Sequence, residues 1–266
     1  KTSKITQFFN YKYNTDKKIH YNVKTKYGKA GYLHEDKDIE ENIHQYILRK
    51  YKKSKNYCIS TLAAKNISFD QFIHILKSYN IGHLEIAPTM FGSWESWFNG
   101  DNDYVLDKLK KQDIKLYSFQ SITYGLQNVN IFNDKDNILE NHFRNLINVA
   151  KRLGVKRLVF GSPRHRNIEG YFVENGINFF KKIGKLCEGS EVVVCIEPNS
   201  SKYNCNFGTT IREVGEFVKK VNSKNIKMMI DVRNIIMEDD NIEDIFTYFE
   251  YIYSILIFYA IINTVN

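Results

Sequence analysis

Two acids stand where apolar runs end. Glu197 closes Val192-Val-Val-Cys-Ile-Glu197, and Asp231 closes Met228-Met-Ile-Asp231. A carboxylate held at the end of such a run meets little water, which penalises its charged form and raises its pKa unless a cation sits nearby. A group poised in this way suits proton transfer at neutral pH, or oxygen ligation of a divalent cation. The competing reading for each is an acid paired with a neighbouring Lys or Arg. Pro198 directly after Glu197 stops a strand ladder and turns the chain outward. If the two runs are neighbouring parallel strands, about 4.8 Å apart, their terminal carboxylates can share one cation, with Mg²⁺, Mn²⁺ or Zn²⁺ as candidates.

Further polar groups follow other runs. Glu85 lies in His83-Leu-Glu-Ile-Ala87 and Gln120 ends Ile114-Lys-Leu-Tyr-Ser-Phe-Gln120. Each either hydrogen-bonds a polyol substrate or caps the mouth of the fold. Arg164 and Arg166 stand in the loop Gly161-Ser-Pro-Arg-His-Arg166, where two guanidinium groups either hold a phosphate or supply surface charge. Trp94, with Trp97, lies in a long loop and offers an apolar wall to a sugar ring or packs that loop. There is no glycine-rich phosphate loop, no Gly-x-Ser-x-Gly elbow and no zincin motif.

The elements that must position these residues alternate along the chain. Apolar runs at Tyr57–Leu62, His83–Ala87, Ile114–Gln120, Arg157–Gly161, Val192–Glu197 and Met228–Asp231 are separated by segments with helical periodicity. That alternation predicts βα units around a parallel sheet, with strand-end residues sharing one mouth. Ser68 reads as an N-cap, Thr210 and Glu213 as a capping box, and Gly154 as the stop of a helix through Leu139, Phe143, Leu146 and Ala150. A seventh run, Tyr251–Phe258, follows a short helix near Ile242–Phe249, and no eighth strand is legible. The expected fold is therefore α/β, a (β/α)8 barrel type of about seven strands with its last unit missing.

Residues 1–56 read as a separate appendage, or the tail of an upstream module, with one helical pattern at Ile39–Leu48; the barrel is expected over 57–266. The formal net charge of +8 is concentrated in the appendage, which leaves the barrel segment close to neutral and disfavours nucleic acid as its partner. The four cysteines follow no zinc-like pairing and no signal peptide precedes them, so reduced thiols and a cytoplasmic location are expected. No apolar stretch is long enough to span a membrane.

Several segments together resemble the xylose-isomerase-like barrels, specifically the sugar phosphate isomerase/epimerase group: Leu84–Thr89, Ser118–Ser121, Ala150–Pro163, Ile196–Asn199 with the trailing Tyr203-x-Cys-x-Phe-x-Thr-Thr210, and Ile230–Asp231. The resemblance implies one divalent metal held by a strand-five Glu, a strand-six Asp, a strand-seven His and a strand-eight Glu, the two glutamates moving a proton beside a sugar carbonyl. By position Glu197 matches the first ligand and base, Asp231 the second ligand, and Asn234 a substrate-binding position. Leu256 occupies the place of the metal-binding His, and the eighth-strand Glu has no counterpart. The resemblance therefore implies a C-terminally truncated barrel acting on a sugar or sugar phosphate, with metal binding weak or absent and turnover impaired. Two other readings stand beside it. One is a non-catalytic fragment or binding module that self-associates through its unpaired last strand. The other is an apurinic endonuclease-like barrel, which would need a histidine-rich cluster.

Overall fold

Among the described residues, seven strands lie side by side in chain order, all parallel, and curl into a half-barrel. They are β1 (Cys58–Ser60), β2 (His83–Ile86), β3 (Lys115–Phe119), β4 (Arg157–Phe160), β5 (Val193–Ile196), β6 (Ile226–Asp231) and β7 (Ile252–Leu256). The computed structural model describes residues 58–64 and 67–256, which belong to one compact unit spanning 54–256. The expected appendage over 1–56, its helix at 39–48 and the last two residues of the seventh run lie outside the described residues.

The helices form where the sequence carries both an apolar stripe and a cap. In α1 (Phe69–Ser78), Ser68 accepts from the Gln71 amide at 3.2 Å while Gln71 Oε1 accepts from the Ser68 amide at 2.9 Å, a reciprocal capping box. Phe72, Ile73 and Leu76 are its buried face. The long loop after β2 is partly helical, with α2 (Trp94–Asn99) started by Ser93 and followed by α3 (Asp103–Lys111). α4 (Ile138–Leu153) buries Leu139, Phe143, Leu146 and Ala150 and stops at Gly154, whose φ of 71° is the left-handed conformation a helix end favours. α5 (Val173–Cys187) and α6 (Ile211–Val221) follow β4 and β5. Thr210 caps α6 through the Glu213 amide, but the Glu213 side chain reaches the Thr209 amide, one residue short of a full capping box. Between β6 and β7 lie α7 (Val232–Glu238), which the sequence reading did not separate, and α8 (Glu243–Thr247).

Strand residues alternate between two environments, as a period of two requires. On β4, Leu158 and Phe160 turn to the helix layer, where Phe160 meets Phe180 edge-to-face at 5.6 Å and Phe180 meets Phe217 at 5.8 Å. Arg157 and Val159 face the concave interior. That interior is layered along the strand direction. The first layer is polar: Ser60, Glu85, Ser118 and Arg157 are register partners across β1 to β4. Arg157 Nη2 pairs with Glu85 Oε2 at 2.8 Å, Ser118 Oγ donates to the same oxygen at 2.7 Å, and Arg157 Nε donates to Ser118 Oγ at 2.9 Å. Next to it lies an apolar cluster of Val159, Val193, Cys195 and Met229 with Leu256 packed against it; Val193 is level with Arg157, and Val159 with Cys195. Beyond it, at the carboxyl ends of the strands, lie Glu197 and Asp231.

Candidate functional site at the carboxyl ends of the strands

Glu197 is placed by the residue that precedes it and by a gap opposite. Its amide donates to Phe160 O at 3.0 Å, extending the β4–β5 ladder by one residue. Counting two residues on from Cys195 keeps its side chain on the concave face. Across the ladder, Gly161 holds the same face on β4's end. A Cβ there would collide with Glu197 Oε2 and lie 3.1 Å from Asn199 Nδ2. Glycine at 161 is thus what leaves room for the carboxylate.

Asp231 ends β6, two residues after Met229 and on the same face. Its Oδ1 accepts from the Arg233 amide at 2.9 Å and caps α7, which fixes the carboxylate at the strand's end. The two acids lie on adjoining strands and feel each other. Burial, then the Asp231 charge, push the Glu197 pKa up to about 8, against the lowering pull of Arg166 and Arg157. Burial also lifts Asp231, to about 6, less far because the amides of Arg233 and Asn234 and the Arg233 charge favour its ionised form. Asp231 ionises first, so the repulsion falls on the second proton. Between those two values the pair holds a single proton.

The other expected site residues divide between mouth and interior. Glu85 is 1% exposed and committed through Oε2 to Arg157 and Ser118; its Oε1 is buried with no hydrogen-bond partner. Gln120 is half-buried and accepts from Ser60 Oγ at 2.7 Å, bridging the ends of β1 and β3. Asn234 is buried on α7, its amide donating to Thr209 O at 3.2 Å. The two arginines do not form a matched pair. Arg164 is exposed, whereas Arg166 is 1% exposed, lies over the Phe160 ring at 5.3 Å, and donates through Nε to Ser162 O at 3.2 Å. Trp94 is half-buried, with its indole N–H on Tyr124 O at 2.9 Å and its ring against the edge of His142 at 4.7 Å. Those contacts pack the loop. A separate cavity of about 150 Å³, lined by Trp97, Asn102, Leu106, Arg152 and Leu153, is made by the helix layer and includes none of the strand-end residues.

Four side chains that matter to this region were not singled out in the sequence. Arg157 opens an apolar run, and a buried arginine in that place demands a partner, a signal that pointed to Glu85 once the strands were set in register. Glu238, at the end of α7, accepts from Ser200 Oγ, from the Ser201 amide at 2.9 Å and from Ser201 Oγ at 3.0 Å, tying the loop after β5 to the helix after β6. Burial raises its pKa, but those hydrogen bonds and Lys202 outweigh this and hold it below the ordinary value. His142 and His165, each packed inside, bond the carbonyls of Ile122 at 2.6 Å and Leu126 at 3.2 Å and so fix the loop after β3.

Could the residues present hold a divalent cation? Glu197 and Asp231 supply two oxygen ligands. The third corner would come from β7, where the register partner of Asp231 is Leu256, apolar and packed into the interior cluster. Among the described residues no three His, Cys, Asp or Glu side chains converge. A resident metal does not fit this donor set.

The sequence matches the model of the xylose isomerase-like TIM barrels over residues 73–259. The chain belongs to that family. No curated protein matches it. Among solved structures, it is similar to a D-psicose 3-epimerase from Clostridium cellulolyticum H10, determined with D-tagatose, at 18% identity and a TM-score of 0.56, with 74% of this chain and 71% of that one covered. A probable 3-DHS dehydratase, AsbF, from Bacillus anthracis follows at 14% identity and a TM-score of 0.55, covering 75% and 71%. A family 2 AP endonuclease from Brucella melitensis gives 15% identity and a TM-score of 0.57, covering 72% and 74%. Identities this low show a shared fold, and the three names span three chemistries. Among the described residues of this xylose isomerase-like barrel, no helix is long and apolar enough to cross a membrane.

Proposed function

We propose that this xylose isomerase-like barrel is of the sugar isomerase/epimerase type, moving a proton at the carbon beside the carbonyl of a sugar or sugar phosphate. One observation carries the reading: a buried Glu197 and a half-buried Asp231 on adjoining strand ends face the same mouth, with a glycine across from Glu197 to leave space. At neutral pH Asp231 is the ionised member and takes the proton from carbon, while Glu197 holds the shared proton and delivers it to the carbonyl oxygen, giving an enediol. Delivery of the proton to the neighbouring carbon, with the hydroxyl proton on that carbon returning to the acid pair, gives the isomerised product; reprotonation of the original carbon on its opposite face, with the hydroxyl on the former carbonyl carbon returning its proton to the pair, gives the epimer. Above about pH 8, Glu197 is itself the base. No step runs through a metal, and without a cation to hold the developing oxyanion the turnover is slow.

Epimerisation is invisible where the product is unknown, but exchange with solvent is not. Ketoses and their phosphates are incubated with the protein in deuterated water, and loss of the proton beside the carbonyl is followed by NMR. Slow exchange that vanishes in both Glu197→Gln and Asp231→Asn supports the reading. Exchange that continues at the same rate in both variants overturns it, and no exchange with any sugar favours the non-catalytic alternative.

A further inference from the structure

We infer that Leu256 is the residue that sets this barrel's relation to divalent metals: its side chain occupies the third corner of a cation site that Glu197 and Asp231 would otherwise begin. The inference rests on the reading of those two acids as the site. Three observations place it. Asp231 and Leu256 are register partners on neighbouring parallel strands. Leu256 packs against Val159, Val193, Cys195 and Met229, so it lies on the concave face that Met229 shares with Asp231. Directly behind the acids lie Val159, Cys195 and Met229, with the Ser254 hydroxyl level with Met229, so the interior offers a cation no carboxylate or imidazole. Two carboxylates alone leave a transition metal short of the three protein ligands that open sites use. A magnesium ion held by two carboxylates relies on substrate oxygens, so the substrate-free chain does not retain one either.

The site should therefore be restored by changing one side chain. A histidine at 256 would place an imidazole beside Asp231, and a cysteine, close to leucine in polarity and smaller, would place a thiolate there with little disturbance of packing.

Cobalt(II) and zinc(II) binding to the full chain at pH 7.5 is measured by visible absorption and titration calorimetry. The variants are wild type, Leu256→His, Leu256→Cys and Leu256→His combined with Glu197→Gln, each checked for folding by circular dichroism. Residues that merely orient a metal ligand alter affinity about 10–100-fold, so a new ligand should tighten binding by at least about 100-fold. Expected are no saturable site in wild type, one in both single variants with cobalt spectra of low coordination number, and its loss in the double variant. Tight, saturable binding to wild type would overturn the inference, as would two folded Leu256 variants with no gain. The deuterium exchange described above uses no metal, so failure there and failure here are separate results.

Discussion

Replacing Glu197 by glutamine removes a charge while keeping the shape, and its effect on stability should depend strongly on pH. The folded-state pKa is raised from 4.5 to about 8, chiefly by burial and then by Asp231. Between those values the folded chain binds a proton that the unfolded chain has released. The stabilisation from that proton is complete below about pH 4.5 and is lost as the pH rises through about 8. At about 1.4 kcal/mol for each pH unit, the full penalty of ionising Glu197 in place is on the order of 4–5 kcal/mol. Glutamine carries no such penalty. Urea denaturation with a chelator present, at pH 5, 7 and 9, should show the variant close to wild type at pH 5 and more stable by several kcal/mol at pH 9. Stability curves that stay parallel across this range would refute the reasoning, because Glu197 would then ionise without cost and could not be buried beside Asp231.

Other consequences follow from particular contacts. Removing one partner of the Glu85–Arg157 pair, as in Arg157→Met, should cost about 3–5 kcal/mol because Glu85 is left charged and buried, and Glu85→Leu added to it should recover much of the loss in the same denaturation assay. Gly161→Ala should destabilise the fold by about 1–3 kcal/mol and abolish deuterium exchange, since its Cβ meets the Glu197 carboxylate. Burial, ahead of every other influence, lowers the pKa of His142 and of His165 below 6.5, so both favour stability above that pH and lose it as the pH falls; acid melting should be shallower in His142→Gln. Glu238→Ala should raise amide hydrogen exchange in 198–204 without altering that of β2 or β3, because it removes the shared acceptor of Ser200 and Ser201.

Periodicity made the order of strands and most helices legible, since each βα unit buries its own apolar stripe: Phe143 and Leu146 on α4 could point nowhere but inward. Glu197 and Asp231 were legible for the same reason, being polar residues at the ends of runs otherwise apolar. What stayed hidden depended on register. Glu85 follows an apolar residue as a mouth residue would, yet sits two layers deeper than Glu197, because Ser118 and Arg157 lie level with it. Arg164 and Arg166 look equivalent in sequence, but a 3-10 turn over Pro163–Arg166 buries one and exposes the other. Short helices such as Trp94–Asn99 and Val232–Glu238 span too few turns to leave a periodic mark, and their caps, Ser93 and Asp231, are visible only once the backbone is known. Glu238 left no signal at all, since its role depends on serines some 37 residues away.

The most direct measurement is the titration of the two strand-end carboxyl groups themselves, followed by carbon NMR in protein labelled at its Asp and Glu side chains. Two coupled steps are expected, near pH 6 and near pH 8, with the upper one falling when Asp231 is replaced by asparagine. A Glu197 that titrates near 4.5 and ignores the Asp231 replacement would show that the two acids do not share a pocket, and the proposed chemistry would have no site.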